Sequence, residues 1–284
     1  FENTGTRTAP VYVARTGAAN PFDGIDPGTA ERPLLIDIDG DHDLDLVVGE
    51  ASGRLLFWEN TGTAQAATFV QRFYPLDPVT NVDVGAWSAP TAGDLDNDGD
   101  LDLIIGELQG GLFYLQNTGT ATAPVYQLAA GAANPLNGVD LGLMATPTLG
   151  DFDLDGDLDL AVGASDSVIH YFENTGTASA PVFVERTGAA NPFAAVNVGA
   201  YGAPTAVDVD GDGDLDLMVA SYSGTLTYVE NTTVHRPTFV VRAGGANPAA
   251  GVDVGSRAAA YFADIDGDGD ADLVMGQIPG ALAY

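Results

Sequence analysis

A run of alternating aspartates occurs five times in this chain, beginning at Asp37, Asp94, Asp151, Asp208 and Asp264, with steps of 57, 57, 57 and 56 residues between the starts. A fixed period of this length means that each repeat is one supersecondary unit, which buries its apolar surface only by packing on its neighbours. The single missing residue falls where NTGTASAP (Asn174 to Pro181) becomes NTTVHRP (Asn231 to Pro237). That stretch reads as a turn, where a deletion disturbs least.

Within a repeat the pattern gives four short strands, which in the second copy span Pro90 to Asp94, Asp102 to Glu107, Leu112 to Asn117 and Pro124 to Leu128. They are rich in alternating apolar, β-branched or aromatic residues and are separated by Gly, Asn and Asp. Four strands per repeat is the signature of a propeller blade, so the expected fold is an all-β, five-bladed β-propeller forming a single domain over residues 1–284. The two ends of the chain carry the closure. Read as ALAY followed by FENTGT, they reproduce VIHYFENTGT at Val168 to Thr177. Residues 1–3 are therefore expected to complete the last repeat's blade, a clasp that removes exposed sheet edges.

The acidic runs hold carboxylates at positions 1, 3, 5, 7 and 9: Asp37, Asp39, Asp41, Asp43 and Asp45; Asp94, Asp96, Asp98, Asp100 and Asp102; Asp151, Asp153, Asp155, Asp157 and Asp159; Asp208, Asp210, Asp212, Asp214 and Asp216; Asp264, Asp266, Asp268, Asp270 and Asp272. Like charges about 4 Å apart repel by roughly 1 to 4 kcal/mol per pair, depending on the effective dielectric. A solvated acidic turn therefore explains five such loops poorly. Hard oxygen donors at alternate positions of a tight loop suit calcium, with six to eight oxygens, better than magnesium, which demands a stricter octahedron. The expected ligands are side chains 1, 3, 5 and 9 with the carbonyl of 7, giving about five ions. An EF-hand is excluded because the flanks PTAGD and LDLIIGE are strand-like and no Glu stands at position 12.

The rest of the composition excludes partners. With 40 acidic residues against 9 basic ones, a formal charge of −31, the surface repels nucleic acid and anionic membranes. All nine basic residues are Arg and there is no Cys, so helices are expected to be few and no disulfide framework exists. No apolar run is long enough to span a bilayer and no basic-then-apolar stretch reads as a leader, so the chain as given is expected neither to span a membrane nor to carry its own export signal. No single place combines a nucleophile with its base, and His170 and His235 are isolated. The chain is expected not to be an enzyme.

DIDGDHDLDLVVGE, DLDNDGDLDLIIGE and DVDGDGDLDLMVA resemble the FG-GAP, or VCBS, repeat of integrin α-subunit propellers, secreted bacterial proteins and fungal lectins. The resemblance covers the whole chain. It implies that each acidic loop joins the first and second strands of a blade, and that the ions line the face opposite the usual ligand face. This sequence departs from the pattern at His42, where the other loops have Gly at position 6, and that loop is expected to bind metal most weakly. It departs also at Ala271, which replaces Leu44, Leu101, Leu158 and Leu215 and is expected to loosen packing. Integrin propellers have seven repeats.

Positions that differ among copies are candidates for a ligand surface. At the entry to the first strand stand Ala30, Trp87, Met144, Tyr201 and Arg257, and after the second strand Glu50, Glu107, Ala164, Ser221 and Gln277. Trp87, Met144, Tyr201 and Arg257 are the candidate ligand contacts, for a protein or a glycan on the face opposite the calcium loops. The competing reading is drift at unconstrained rim positions. The recurrent GAANP element, at Gly17 to Pro21, Gly131 to Pro135 and Gly188 to Pro192, reads as a structural loop between blades. The expected function is an extracellular, calcium-binding adhesion or protein-recognition module, as a monomeric ring. A lectin, a structural domain of a larger secreted protein and, last, a polysaccharide-active enzyme are the alternatives.

Overall fold

The computed structural model describes every residue except 29–31, 233–236, 253–258 and 278–280. The described residues form five antiparallel blades of four strands, a five-bladed β-propeller, and contain no α-helix. The first four blades run Arg32–Ile36, Asp45–Gly49, Leu55–Asn60, Phe69–Gln71; Ala89–Gly93, Asp102–Gly106, Leu112–Asn117, Tyr126–Leu128; Thr146–Gly150, Asp159–Gly163, Ile169–Asn174, Phe183–Arg186; and Ala203–Val207, Asp216–Ala220, Leu226–Asn231, Phe239–Arg242. In the second blade the boundaries read from the sequence hold to within two residues.

The fifth blade is built from both ends of the chain. Ala259–Ala263, Asp272–Gln277 and Ala281–Ala283 form one sheet, and Glu2–Asn3 with Tyr12–Val13 complete it from the other end. The Phe1 amino group donates to the Leu273 carbonyl at 2.6 Å, and the Leu273 N–H donates back to Phe1 at 2.9 Å. This is the register of Leu46 against Trp58 in the first blade, carried across the chain ends. The Arg15 N–H donates to the Tyr284 carbonyl, as the Arg72 N–H does to Phe57.

Burial is graded outward. Second strands are buried throughout, third strands show two half-buried steps in six, and fourth strands open toward solvent. The inner strands surround the axis and leave only about 40 Å³ of open space. Pro33, Pro90, Pro147 and Pro204 sit on these inner strands, whose free edge needs no donor there. Among the described residues no helix is long and apolar enough to cross a membrane.

Blade-to-blade contact is set by paired side-chain volumes. A methyl placed on Gly93 would lie 2.7 Å from Leu158 Cδ1, and one on Gly150 would lie 2.7 Å from Leu215 Cδ1. At the next interface the same positions hold Val207 and Ala271, both packed on one core cluster. Val207 thus brings side-chain volume to the interface where Ala271 lacks the leucine of the other copies. Gly93→Val is expected to cost about 1–3 kcal/mol by overpacking, and adding Leu158→Ala to recover most of it. Denaturant unfolding of the two variants in calcium checks this; equal stabilities for the single and double variants would refute the pairing.

Each GAANP element is a single turn of 3-10 helix, at Gly17–Ala19, Gly131–Ala133, Gly188–Ala190 and Gly244–Ala246. Its Asn is buried. In three copies the Asn side chain donates to the start of a third strand, Asn134 to Leu112, Asn191 to Ile169 and Asn247 to Leu226.

Candidate metal centres and the opposite rim

Each acidic run forms the tight loop between the first and second strands. Its first carboxylate folds the loop by accepting backbone N–H groups: Asp37 takes Gly40 at 2.7 Å, Asp41 at 3.1 Å and His42 at 3.1 Å. The third carboxyl of the run likewise takes the N–H of position 7, as Asp98 does from Asp100. To turn this tightly, positions 4 and 6 adopt the left-handed conformation. Position 4 holds Gly40, Asn97, Leu154, Gly211 and Gly267, and position 6 holds His42, Gly99, Gly156, Gly213 and Gly269. His42, at φ 74°, takes the conformation its place predicts, at a cost of roughly 1 kcal/mol. The requirement at position 4, met by Leu154 at φ 62°, is not legible from the sequence, because Asn and Leu stand among the glycines there.

The folding of the loop brings carboxylates together. One oxygen from each of Asp37, Asp39 and Asp41 lies within 4.8 Å of the others, and the same holds for Asp94, Asp96 and Asp98, for Asp151, Asp153 and Asp155, and for Asp264, Asp266 and Asp268. In the fourth loop the trio is Asp208, Asp210 and Asp216, which places the ninth residue at the floor of the cluster. Asp212 is the remaining position-5 carboxylate, and it accepts the Asp214 N–H at 3.1 Å.

Position 7 completes the picture. Asp43, Asp100, Asp157, Asp214 and Asp270 each carry a buried carboxylate oxygen with no hydrogen-bond partner, as do Asp39 and Asp96 at position 3. Such orphaned acceptors are costly unless a cation meets them. Burial, then the charges of Asp41, Asp39 and Asp37, push the Asp43 carboxyl up to about 6. Clustered hard oxygens, with further unpartnered ones in the same negative, partly desolvated loop, fit a hard cation, and all five loops combine a cluster with an unpartnered oxygen.

The ninth carboxylates also brace the loop. Asp102 is fully buried and accepts the Asn117 N–H at 2.7 Å, the Leu95 N–H at 3.3 Å and the Tyr114 hydroxyl at 2.9 Å, so it ties the loop to the third strand. Asp45, Asp159, Asp216 and Asp272 make the same backbone bonds. Burial raises all five, to about 6 at Asp102 and Asp272, about 7 at Asp159 and Asp216, and about 8 at Asp45. Asp45 stands highest where Phe57 replaces the tyrosine whose hydroxyl steadies the other four.

On the opposite face Trp87, Met144 and Tyr201 occupy equivalent places at the entries to three inner strands. Each stitches its blade to the preceding one, Trp87 N–H to Ala51 at 3.2 Å, Met144 N–H to Leu108 at 2.9 Å and Tyr201 N–H to Ala164 at 3.0 Å. All three are left-handed, at φ 58°, 58° and 60°. Tyr201 packs on the exposed Tyr222, ring centroids 5.6 Å apart, and Leu143 is exposed beside Met144. Arg257 and Ala30 lie outside the described residues, as does His235. His170 is held between Glu185 at 2.9 Å and Asp166 at 3.2 Å.

An element missed from the sequence is a Glu–Arg pair joining third and fourth strands: Glu59 with Arg72, Glu173 with Arg186, Glu230 with Arg242 and Glu2 with Arg15. Its signal is a Glu followed 13 residues later by an Arg, or 12 in the shortened fourth repeat.

Among solved structures, a lectin from Agrocybe aegerita that recognises non-reducing terminal N-acetylglucosamine is 18% identical, over 89% of this chain and 62% of the lectin, with a TM-score of 0.45. The Photorhabdus luminescens Tc holotoxin pore is 16% identical over 96% of this chain and 11% of that one, with a TM-score of 0.39. This chain thus spans less than two thirds of the length of either protein. No curated protein sequence matches it. The family model for the FG-GAP-like repeat matches residues 37–105, 151–219 and 208–275, well over half of the chain. With acidic loops at the matched positions and a blade built around each, the chain belongs to the FG-GAP-like repeat family.

Proposed function

We propose that this chain is an extracellular recognition module, a ring braced by about five calcium ions that presents Trp87, Met144 and Tyr201 to a protein ligand on the face away from the metal. The observation that carries the reading is the backbone conformation of those three residues. Of the other left-handed positions among the described residues, 21 are Gly and four, His42, Asn97, Leu154 and Ser167, are not. A bulky side chain there costs roughly 1 kcal/mol, and strain of this kind collects at functional sites. Placing Trp, Met and Tyr at three equivalent strained positions makes sense when their side chains are used. Large rings with a polar edge anchor protein interfaces well. The orphaned loop oxygens support calcium as the bracing ion. Extracellular modules hold calcium at about 0.1–1 mM, which suits the exterior. The buried carboxylates hold metal and backbone, so the role is binding and not turnover.

The test replaces all three residues by Gly, which relieves the strain and keeps the fold. Wild type and variant are screened, in calcium, on a display library of extracellular proteins and on a glycan array. The expected result is a protein ligand bound by the wild type and lost by at least tenfold in the variant, with a melting temperature unchanged or raised. Loss of a glycan ligand instead would replace protein by carbohydrate. A ligand bound equally by both forms would remove the rim from function, and no ligand at all would leave a structural domain.

A further inference from the structure

The turn between the third and fourth strands of a blade rests its tip on the acidic loop one blade back. A methyl placed on Gly40 would lie 2.8 Å from Thr122 Cγ2, and one on Gly267 would lie 2.8 Å from Gln65 Nε2. One on Gly211 would lie 2.9 Å from Thr8 Cγ2 and 3.2 Å from Arg7 Cγ. The residue after the first bridging Thr of these turns is alanine in three copies, Ala64, Ala121 and Ala178. In the turn that joins the N-terminal strands Glu2–Asn3 and Tyr12–Val13 it is Arg7. Arg7 therefore reaches from the fifth blade into the fourth loop, where its guanidinium donates to Asp208 Oδ2 at 2.6 Å.

Around this contact the fourth loop departs from the others. In those four the N–H of position 5 donates to the first carboxylate at 3.1 Å, Asp41 to Asp37, Asp98 to Asp94, Asp155 to Asp151 and Asp268 to Asp264. The Asp212 N–H donates to Asp210 at 3.3 Å. The clustered carboxylates are those of positions 1, 3 and 9, with Asp212 outside the group. At position 7 both oxygens of Asp214 are buried without a hydrogen-bond partner, where Asp43, Asp100, Asp157 and Asp270 have one each. The loop that receives the arginine is thus the one whose carboxylates are arranged differently.

We propose that Arg7 is a resident cation of the fourth loop that sets the calcium affinity of this one site below that of the second and fifth. Those two loops have neither a histidine at position 6 nor, among the described residues, an arginine on the first carboxylate. The inference rests on calcium as the loop ion. A divalent ion entering the fourth loop must share Asp208 with a guanidinium, and the two positive charges repel across a few ångströms. Arg7 also steadies the empty loop, which lowers what calcium gains by filling it. The arginine is 59% exposed, so water and salt screen the effect, and it amounts to about a three- to tenfold weaker site. The ring then fills in steps. Because linkage is reciprocal, calcium in the fourth loop loosens the hold of the N-terminal turn on the fourth blade by the same factor.

Calcium-loaded protein is taken down through a series of chelator-buffered calcium concentrations while the backbone amide resonances of Gly213, Gly99 and Gly269 are followed by NMR. These three glycines hold position 6 of the fourth, second and fifth loops. In the wild type Gly213 is expected to change at a calcium concentration about three- to tenfold higher than the other two. Arg7→Ala, which installs the residue of three sister turns, should bring Gly213 level with them. Arg7→Lys should keep it apart, because the charge is retained, and about 0.5 M salt should narrow the wild-type gap. Three glycines that change together in the wild type, or a gap that persists or widens in Arg7→Ala, overturn the proposal and leave calcium as the loop ion. No response to calcium in any of the three overturns the metal reading and this proposal with it.

Discussion

Stripped of metal at pH 8, the chain is expected to melt at least 20 °C lower than in excess calcium, or to show no cooperative transition. One site at a hundredfold excess over its dissociation constant stabilises the folded state by about 2.7 kcal/mol, and five such sites by about 13 kcal/mol. That equals the whole net stability of a typical domain, about 5–15 kcal/mol. The carboxyls determine how this depends on pH. In the metal-free chain, burial raises Asp43, Asp102, Asp214 and Asp272 to about 6, Asp159 and Asp216 to about 7 and Asp45 to about 8. Because each folded-state value lies above the unfolded one, near 3.9, their stabilising contribution is complete below about pH 4 and is lost as the pH climbs through 6 to 8. The metal-free form should therefore be most stable in weak acid, and the gap between loaded and stripped forms should widen from pH 5 to pH 8. Calorimetry of both forms across that range measures it. A melting curve indifferent to chelator at pH 8 would sink the metal reading.

Asp102→Ala and Asp98→Ala, four residues apart in one loop, should behave as opposites. Removing the Asp102 carboxylate leaves the Asn117 and Leu95 N–H groups and the Tyr114 hydroxyl without their acceptor in a buried place. At about 1–3 kcal/mol for each of the three buried unsatisfied donors, the loss is about 3–9 kcal/mol and persists when metal is absent. Asp98 is exposed and its side chain accepts a single backbone N–H. Its loss should leave the metal-free protein within about 0.5 kcal/mol of wild type, the usual range for surface changes. It should also reduce the number of calcium ions counted by isothermal titration from five to four. If both variants lost stability equally without metal, the division between a folding carboxylate and a ligating one would be wrong.

That division marks the limit of what the loop sequence conveys. All five aspartates of a run are identical letters at even spacing. Positions 1, 3 and 5 are brought together by a turn whose φ values the sequence indicates only at position 6. Position 7 is expected to offer its carbonyl, and its side chain also carries a buried oxygen without a hydrogen-bond partner. Position 9 opens the second strand, where the pleat turns it inward beneath Asn117 and its equivalents. Which oxygen is left over depends on neighbours 15 residues away.

The sequence by itself determined the number of blades, the strands within them, the closure of the ring by its two ends and the place of the acidic loops. These follow from period and alternation, which are local properties that every repeat states again. Only the tertiary structure decided which side chains complete one another across blades. Val207 stands at the interface where Ala271 replaces a leucine, Trp87, Met144 and Tyr201 are held in left-handed strain, and Glu–Arg pairs join the third and fourth strands of four blades. Those outcomes depend on volumes and charges meeting between residues far apart in the chain, and one-dimensional spacing carries no record of such meetings until the ring has closed.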